Sequence, residues 1–466
     1  MSARQLVLAA VAAAPVVAVL VLAAPLPARA QEPEPSGRAE APAARDTSLG
    51  GFFDALSDST DEYFGLSAAS VDTAGLDTVL YETGPSRPRL ERGITPMFDF
   101  SRVDGSTPGL SASLGLPPRE PGRTGWGKLT GQIARAVGAH TTLGAVRYEN
   151  RVWVARQPFD LALWGGRAIS SMNPDEAGRL LPALRALCLG SDWGHYYRTD
   201  GFTASLAHEH GWWRAGAGWR DALQSPLVTR ASWNLARRGL ELPWNLAAAS
   251  GRARELDYVA TVRWPRLPLL TELRYQTSSH RLGSDFEYRR YRAAAGLDLS
   301  LGRFASLVPQ LAYGRLTGDA VPQTCFFTGG SGTLRSLHQD ERGGTGFAAA
   351  KLGLIGTQNL LEVLHLPHPA AFPLQGELFT ATSAVWGRDP YGGAAVSGLD
   401  WPDRNAWASE VGASLLYASP LFFGPGSFLH ISYAWPIGPD SGVSRWSVGI
   451  SRALDLLGPE PAEQEE

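Results

Sequence analysis

The stretch Phe326–Leu337 reads Phe-Phe-Thr-Gly-Gly-Ser-Gly-Thr-Leu-Arg-Ser-Leu, and a single guanidinium carries its chemistry. Arg335 is its one charged residue, set between Leu334 and Ser336 and preceded by Gly329, Gly330 and Gly332. Arginine presents N–H donors in a rigid fork that suits carboxylates. On a glycine-flexible tether such a group is a pin, not a nucleophile. Other stretches carry chemistry-like spacings and fall short of them. Gly122–Thr130 approaches the phosphate loop GxxxxGK[ST], but Leu129 stands where the magnesium-binding hydroxyl belongs, and an alternating strand pattern follows instead of a helix. His208 and His210 share one strand face without a third ligand or the helical spacing of a zinc protease. Gly329-Gly330-Ser331-Gly332 superficially resembles a nucleophile elbow, yet Thr333 occupies the last glycine position and no His/Asp partners stand out. Cys188 and Cys325 are the only cysteines, either one bridge or two free thiols, and no disulfide framework. No catalytic residue, cofactor or metal is expected, and the chain is not read as an enzyme.

The elements around this stretch alternate with period two. Leu256, Tyr258, Ala260, Val262 and Trp264 share one face, against Asp257, Thr261 and Arg263. Tyr291, Ala293, Ala295, Leu297 and Leu299 oppose Arg290, Arg292, Asp298 and Ser300, and Leu429, Ile431, Tyr433, Trp435 and Ile437 oppose His430, Ser432 and Ala434. Such runs last about nine to thirteen residues; soluble strands are mostly ~5–6 residues and membrane-crossing strands about 9–11. A soluble core would not hold the opposite face's Arg, Glu and Asp unpaired. A closed barrel with lipid outside and a polar lumen accommodates both faces and satisfies every backbone group. Tight turns at Pro265-Arg266 and Leu301–Arg303 alternate with long connections at Ser225–Gly251, Thr317–Gly346 and Gly387–Trp407. The short turns are expected on the periplasmic side and the long connections outside. Met172–Cys188 reads as a helix within a connection, its side unassigned.

Composition sets the frame. The 466 residues carry a net charge of -3, with Lys+Arg (42) nearly balancing Asp+Glu (45), so nucleic acid is not an expected partner. Arg4, the apolar run Leu6–Leu22 and Ala28-Arg29-Ala30 form an export signal over residues 1–30. Residues 31–92 are read as a disordered or periplasmic segment, 93–454 as the barrel, and 455–466 as an acidic tail. The expected location is the outer membrane, with its lipid bilayer as the first partner.

Several segments together resemble the BamA/TamA-type outer-membrane assembly factors, the bacterial surface-antigen barrels. Phe327, Gly329, Gly330, Leu334 and Arg335 match that family's sixth-loop signature, while Ser336 and Leu337 replace its glycine and aromatic. Arg102-Val103-Asp104-Gly105 resembles the element at the barrel start, and Asp192–Gly201 a segment found after a Leu-rich helix. Ala418–Leu421, Gly424-Pro425, Ser432–Pro436 and Arg445–Ile450 resemble the closing strands. The resemblance covers residues 95–454 in order and is denser in the C-terminal half. It implies an all-β, transmembrane antiparallel β-barrel of about 16 strands with an inward-folded sixth extracellular loop. It further implies a loop lock at Gly329, Gly330, Leu334 and Arg335 whose guanidinium grips the inner wall. The family's wall motif falls on Phe379–Ser383, where Ala381 and Ser383 stand for its Asp and Gly, leaving Glu377 and Glu362 as alternative acidic partners. The function implied is protein insertion or translocation at the outer membrane, with unfolded outer-membrane proteins as substrates, in a barrel-only relative without recognisable receiving modules. A passive pore or structural barrel is the alternative.

Overall fold

The computed structural model describes residues 91–116, 127–154, 157–173, 180–190, 192–231, 233–235, 242–366, 373–392, 401–418, 427–438 and 442–452. The expected export signal, the acidic tail and all but the last two residues of the expected 31–92 segment lie outside these residues; Glu91 and Arg92 belong to the first strand, which begins two residues before the expected barrel start. The strands in chain order are β1 (Glu91–Ser101), β2 (Gly105–Leu116), β3 (Gly127–Ala136), β4 (Thr141–Val154), β5 (Gln157–Ser171), β6 (Tyr196–His210), β7 (Trp213–Pro226), β8 (Gly251–Arg263), β9 (Leu269–Ser278) and β10 (Tyr288–Leu297). They continue as β11 (Leu299–Ser300), β12 (Ala305–Gly318), β13 (Phe326–Thr328), β14 (Arg342–Gly344), β15 (Gly346–Gly356), β16 (Leu374–Trp386), β17 (Trp407–Ala418), β18 (Ser427–Ile437) and β19 (Arg445–Arg452). Seventeen of them form one antiparallel sheet, in which β11 is only two residues long. Each long strand pairs with the next in the chain, while β13 and β14 form a separate small hairpin inserted between β12 and β15. Strands of up to 15 residues match the membrane-spanning length that the alternation implied.

One connection shows that the sheet curls into a barrel. Gln323 donates to Gln224 of β7 at 2.9 Å, Phe326 lies under the Arg290 guanidinium of β10 at 4.2 Å, and His338 meets Arg445 of β19 at 3.0 Å. A single segment can touch inner faces from β7 to β19 only if the sheet wraps around it. The meander begins at β1 and ends at β19, and among the described residues no ladder joins these two strands. This leaves a seam.

The two faces of the wall are inverted relative to a water-soluble protein. Along β10, buried Arg290 and Arg292 alternate with exposed Tyr291, and along β16 buried Glu377 and Phe379 flank Leu378, which is 61% exposed. Ile94, Phe98, Leu110, Ile133, Leu273, Leu311, Val411 and Leu415 continue the exposed apolar face around the sheet. A soluble surface does not carry apolar area on this scale, whereas hydrocarbon is its natural solvent. Inside, polar side chains pair across strands: Arg274 forks onto Asp257 at 2.8 and 3.1 Å, and Arg292 reaches Glu272 at 2.9 Å.

The named tight turns and the named long connections separate as the turn chemistry suggested: the turns around Pro265-Arg266 and Leu301–Arg303 lie at one end, and the three long connections lie at the other. Length does not sort every connection. Residues 357–373, between β15 and β16, make a long one at the short-turn end, and the tight turns β1–β2 and β3–β4 lie at the long-loop end. The helix α1 (Leu180–Leu189) belongs to the long-loop end, which settles its side, and it packs against β1. Replacing Leu273 by Arg on the outward face is expected to cost about 2–4 kcal/mol in refolding titrations into phospholipid vesicles, against roughly 0–1 kcal/mol for Leu267→Arg in a rim turn. Equal small effects at both sites would contradict the lipid-facing assignment.

Candidate functional site

The connection between β12 and β15 folds inward because its residues have more to bury inside than out. Cys325, Phe326 and Phe327 pack in a core with Phe347 and Ala349 of β15, Val385 of β16 and Phe286, Leu246 and Met172 from neighbouring connections. Leu334 and Leu337 fill a second patch with Ala381 and Ala408. The wall is made of small residues where the loop arrives: a Cβ at Gly314 would collide with the Phe326 ring. The glycine run has a steric reason. Gly329 sits at φ +115° and Gly330 at φ +88°, and a Cβ on Gly329 would strike the His338 carbonyl oxygen. The returning strand of the loop therefore lies directly on this turn. Thr333 Oγ caps it by accepting from the Gly329 N–H at 2.8 Å.

Arg335 ends this fold at the bottom of a polar well. Its side chain is about 1% exposed. Nη1 donates to Glu377 Oε2 at 3.0 Å, Ser414 Oγ at 2.6 Å and Ser432 Oγ at 3.0 Å, and the guanidinium carbon lies 4.2 Å from the Phe379 ring centroid. Glu377 stands directly opposite Ser414, and Ser414 opposite Ser432, so the three acceptors form one row across β16, β17 and β18. The Ser414 hydroxyl donates to Glu377 at 2.7 Å and the Ser432 hydroxyl to Ser414 at 3.0 Å, while His430 Nδ1 lies 2.8 Å from Ser432. Lys351 stands 3.9 Å from the other Glu377 oxygen.

A second carboxylate holds the backbone. Glu410 is fully buried and accepts the Arg335 N–H at 2.9 Å and the Ser336 N–H at 2.6 Å. Glu410 lies directly opposite Ala381. Where the family pattern places an aspartate, this chain has a small residue under Leu334 and Leu337, and the acid comes from the adjacent strand. Ser383, in place of a glycine, accepts from Thr328 Oγ at 2.8 Å. Of the two acids left open by the sequence, Glu377 meets Arg335, and Glu362 lies in the short helix α2 (Leu360–Val363) at the opposite end of the barrel.

The structure thus brings Gly329, Gly330, Leu334 and Arg335 together with Glu377. Sequence reading missed Glu410, Ser414, Ser432 and His430. A usable signal existed: Glu410 and Ser414 share the inward parity of β17, as His430 and Ser432 do that of β18. The other singled-out residues lie elsewhere. His208 and His210 are on the outward face of β6, where His208 donates to the Pro158 carbonyl at 2.7 Å. Cys188 and Cys325 are free thiols, the latter pushed up to about 12 by burial. Residues 122–126 of the glycine-rich stretch lie outside the described residues, and Gly127 opens β3.

A second polar cluster gathers at the long-loop end. Arg102, in the turn after β1, is fully buried; its backbone N–H donates to Asp192 Oδ2 at 3.0 Å and its guanidinium to the carbonyls of Asp192 and Gly194 and to His195 Nδ1 at 2.9 Å. Burial, then the Arg102 charge, depress His195 to about 3, so it stays neutral. With Nδ1 accepting, its Nε2–H faces the Tyr391 hydroxyl at 3.1 Å, and Tyr391 in turn donates to the Asp340 carbonyl of the inward loop.

No protein-family model matches this chain, and no curated relative does. Among solved structures it is similar to BamA from Haemophilus ducreyi lacking POTRA domains 1–3, at 13% identity and a TM-score of 0.47, covering 78% of this chain and 69% of that one. It is also similar to CdiB from Acinetobacter baumannii, at 11% identity and a TM-score of 0.40, covering 78% of this chain and 65% of that one. Pseudomonas aeruginosa OprD is a third, at 11% identity and a TM-score of 0.36, covering 78% and 90%. The chain spans about two thirds of the BamA and CdiB structures that it matches.

Arg335→Ala leaves Glu377 buried without its cation and is expected to weaken loop docking by ~3–5 kcal/mol, read as faster proteolytic cleavage within residues 326–344 of the vesicle-inserted barrel. Arg335→Lys keeps the charge on a shorter side chain without the planar group that lies over Phe379 and is expected to remain loosened. Gly329→Ala is expected to cost ~1–3 kcal/mol by the same assay, through its left-handed backbone and the His338 carbonyl. A protected loop in all three variants would remove the clamp assignment.

Proposed function

We propose that the protein is an outer-membrane β-barrel that works in protein insertion or translocation, with unfolded outer-membrane proteins as its substrates. One observation carries this reading: the Arg335 clamp fixes the loop on β16–β18, immediately beside the seam where no ladder joins β1 to β19 among the described residues. Unpaired strand edges offer rows of N–H and C=O groups to an incoming strand. A wall stiffened next to such edges lets the seam part without the barrel losing its loop. The resemblance of the loop and closing strands to BamA/TamA-type barrels supports the same reading. On it the protein is not an enzyme: its polar clusters orient and hold, and Ser331 lies in a turn set by glycines.

A second reading, a passive pore, has an observation of its own. The loop packs on β10, β12 and β15–β19 and reaches β7 through Gln323, and on the remaining wall inward pairs such as Arg147–Glu149 and Arg151–Asp160 stay partly exposed. That wall is suited to water.

Depletion of the protein in its host is expected to lower the levels of other outer-membrane proteins, with restoration by the wild-type chain and weaker restoration by Arg335→Ala. Unchanged levels on depletion, together with large steady conductance in planar bilayers, would favour the pore and overturn the insertion reading.

A further inference from the structure

The seam has two sides and one stretch of chain that touches both. On the β19 side, Arg445 Nη2 donates to His338 Nδ1 at 3.0 Å, and the Val443 N–H donates to the Ser336 carbonyl at 3.3 Å. A Cβ at Gly442 would collide with the same Ser336 oxygen, so the turn before β19 lies directly on the loop. On the β1 side, Arg102 is held by the Asp192 and Gly194 carbonyls and by the Asp192 carboxylate. Between those two holding residues stands Trp193, whose ring stacks on His338 with centroids 3.9 Å apart and planes 28° apart. Asp192-Trp193-Gly194 therefore grips the β1 turn with its outer members and the loop tip with its middle one.

The approach is close along the whole tip. A Cβ at Gly194 would collide with the Gln339 amide. One residue further, Asp340 Oδ1 accepts from Asn173 at 2.8 Å. The His338 ring is suited to its place: burial, then Arg445 and Arg185, hold it near a pKa of about 4, so Nδ1 keeps the lone pair that Arg445 needs. A neutral, flat imidazole serves two partners at once, an arginine at its edge and an indole on its face.

We infer that Trp193 and His338 form a staple that holds the β1 and β19 ends together at the long-loop rim, where no ladder does so among the described residues. The inference rests on the reading of the seam as the working edge and adds its regulation. With the staple closed, the loop tip ties β19 to the β1 turn. Unstacking Trp193 from His338 removes the contact that joins the β1 turn to the residue gripping Arg445 and loosens the seam at that end, while Asn173 and Tyr391 keep their bonds to Asp340 and Arg335 and Glu377 still hold the loop to the wall. The clamp and the staple are thus separate attachments of one loop, one to the wall and one to the rim.

The test measures the seam directly. In a chain with Cys188 and Cys325 replaced by Ala, Phe98→Cys on β1 and Trp446→Cys on β19, both outward and exposed, carry spin labels for pulsed dipolar distance measurement in vesicles. The expected result is a narrow distribution with Trp193 and His338 present. It shifts to longer distances and broadens with His338→Ala or Trp193→Leu, and the short distance returns with Trp193→Phe, which keeps a stacking ring. Heat-modifiable migration on gels reports that each variant is folded. An unchanged distribution in folded His338→Ala and Trp193→Leu overturns the staple. A widened seam with undiminished assembly of other outer-membrane proteins leaves the staple standing and overturns the insertion reading instead.

Discussion

A guanidinium buried in a membrane barrel has to be answered by the wall, and much of the C-terminal half is arranged around that requirement. Arg335 has left water entirely, and the Glu377–Ser414–Ser432 row meets its Nη1 with one carboxylate and two hydroxyls. Burying such a pair contributes little net stability, because desolvation offsets most of the attraction; its value is in specifying one geometry. The row exists only if β16, β17 and β18 are in this register. A one-residue slip of any one of them would turn its own acceptor into lipid and break the row. The ion pair therefore reports on the pairing of three strands as well as on the position of a loop.

The backbone of the same loop is fixed by different means. Glu410 accepts two consecutive N–H groups, an arrangement that needs those groups to point the same way, and the glycines at 329 and 330 supply the backbone turn that allows it. Side chain and main chain are thus held by two acids on adjacent strands. The division shows how the wall tolerates Ala381: the small residue makes room for Leu334 and Leu337, and the carboxylate stands across the ladder from it.

The barrel itself was legible in the sequence, because period-two alternation with charged inner positions suits a polar lumen and no dry core, and run lengths separate membrane strands from soluble ones. The loop was legible too, through its glycines and lone arginine. Its partners were not. Which acid meets Arg335 depends on cross-strand register, and no local pattern encodes register. Once β16 is drawn, parity puts Glu377 on the same face as Phe379 and Ala381, a signal that the sequence reading, which left Glu377 and Glu362 open, did not use. The side of the 180–189 helix and the stacking of Trp193 on His338 depend on segments far apart in the chain, beyond the reach of any periodic signal.

The inverted faces of the wall carry a further consequence. Leu273, Leu378 and Leu415 have no good solvent in water, and the inward arginines have none in lipid until their partners are aligned. For such a chain, folding and arrival are a single partition step: the native state has lipid as one of its reactants. Its population then scales with the amount of bilayer on offer, so that the protein's host membrane acts as a cofactor of its own assembly.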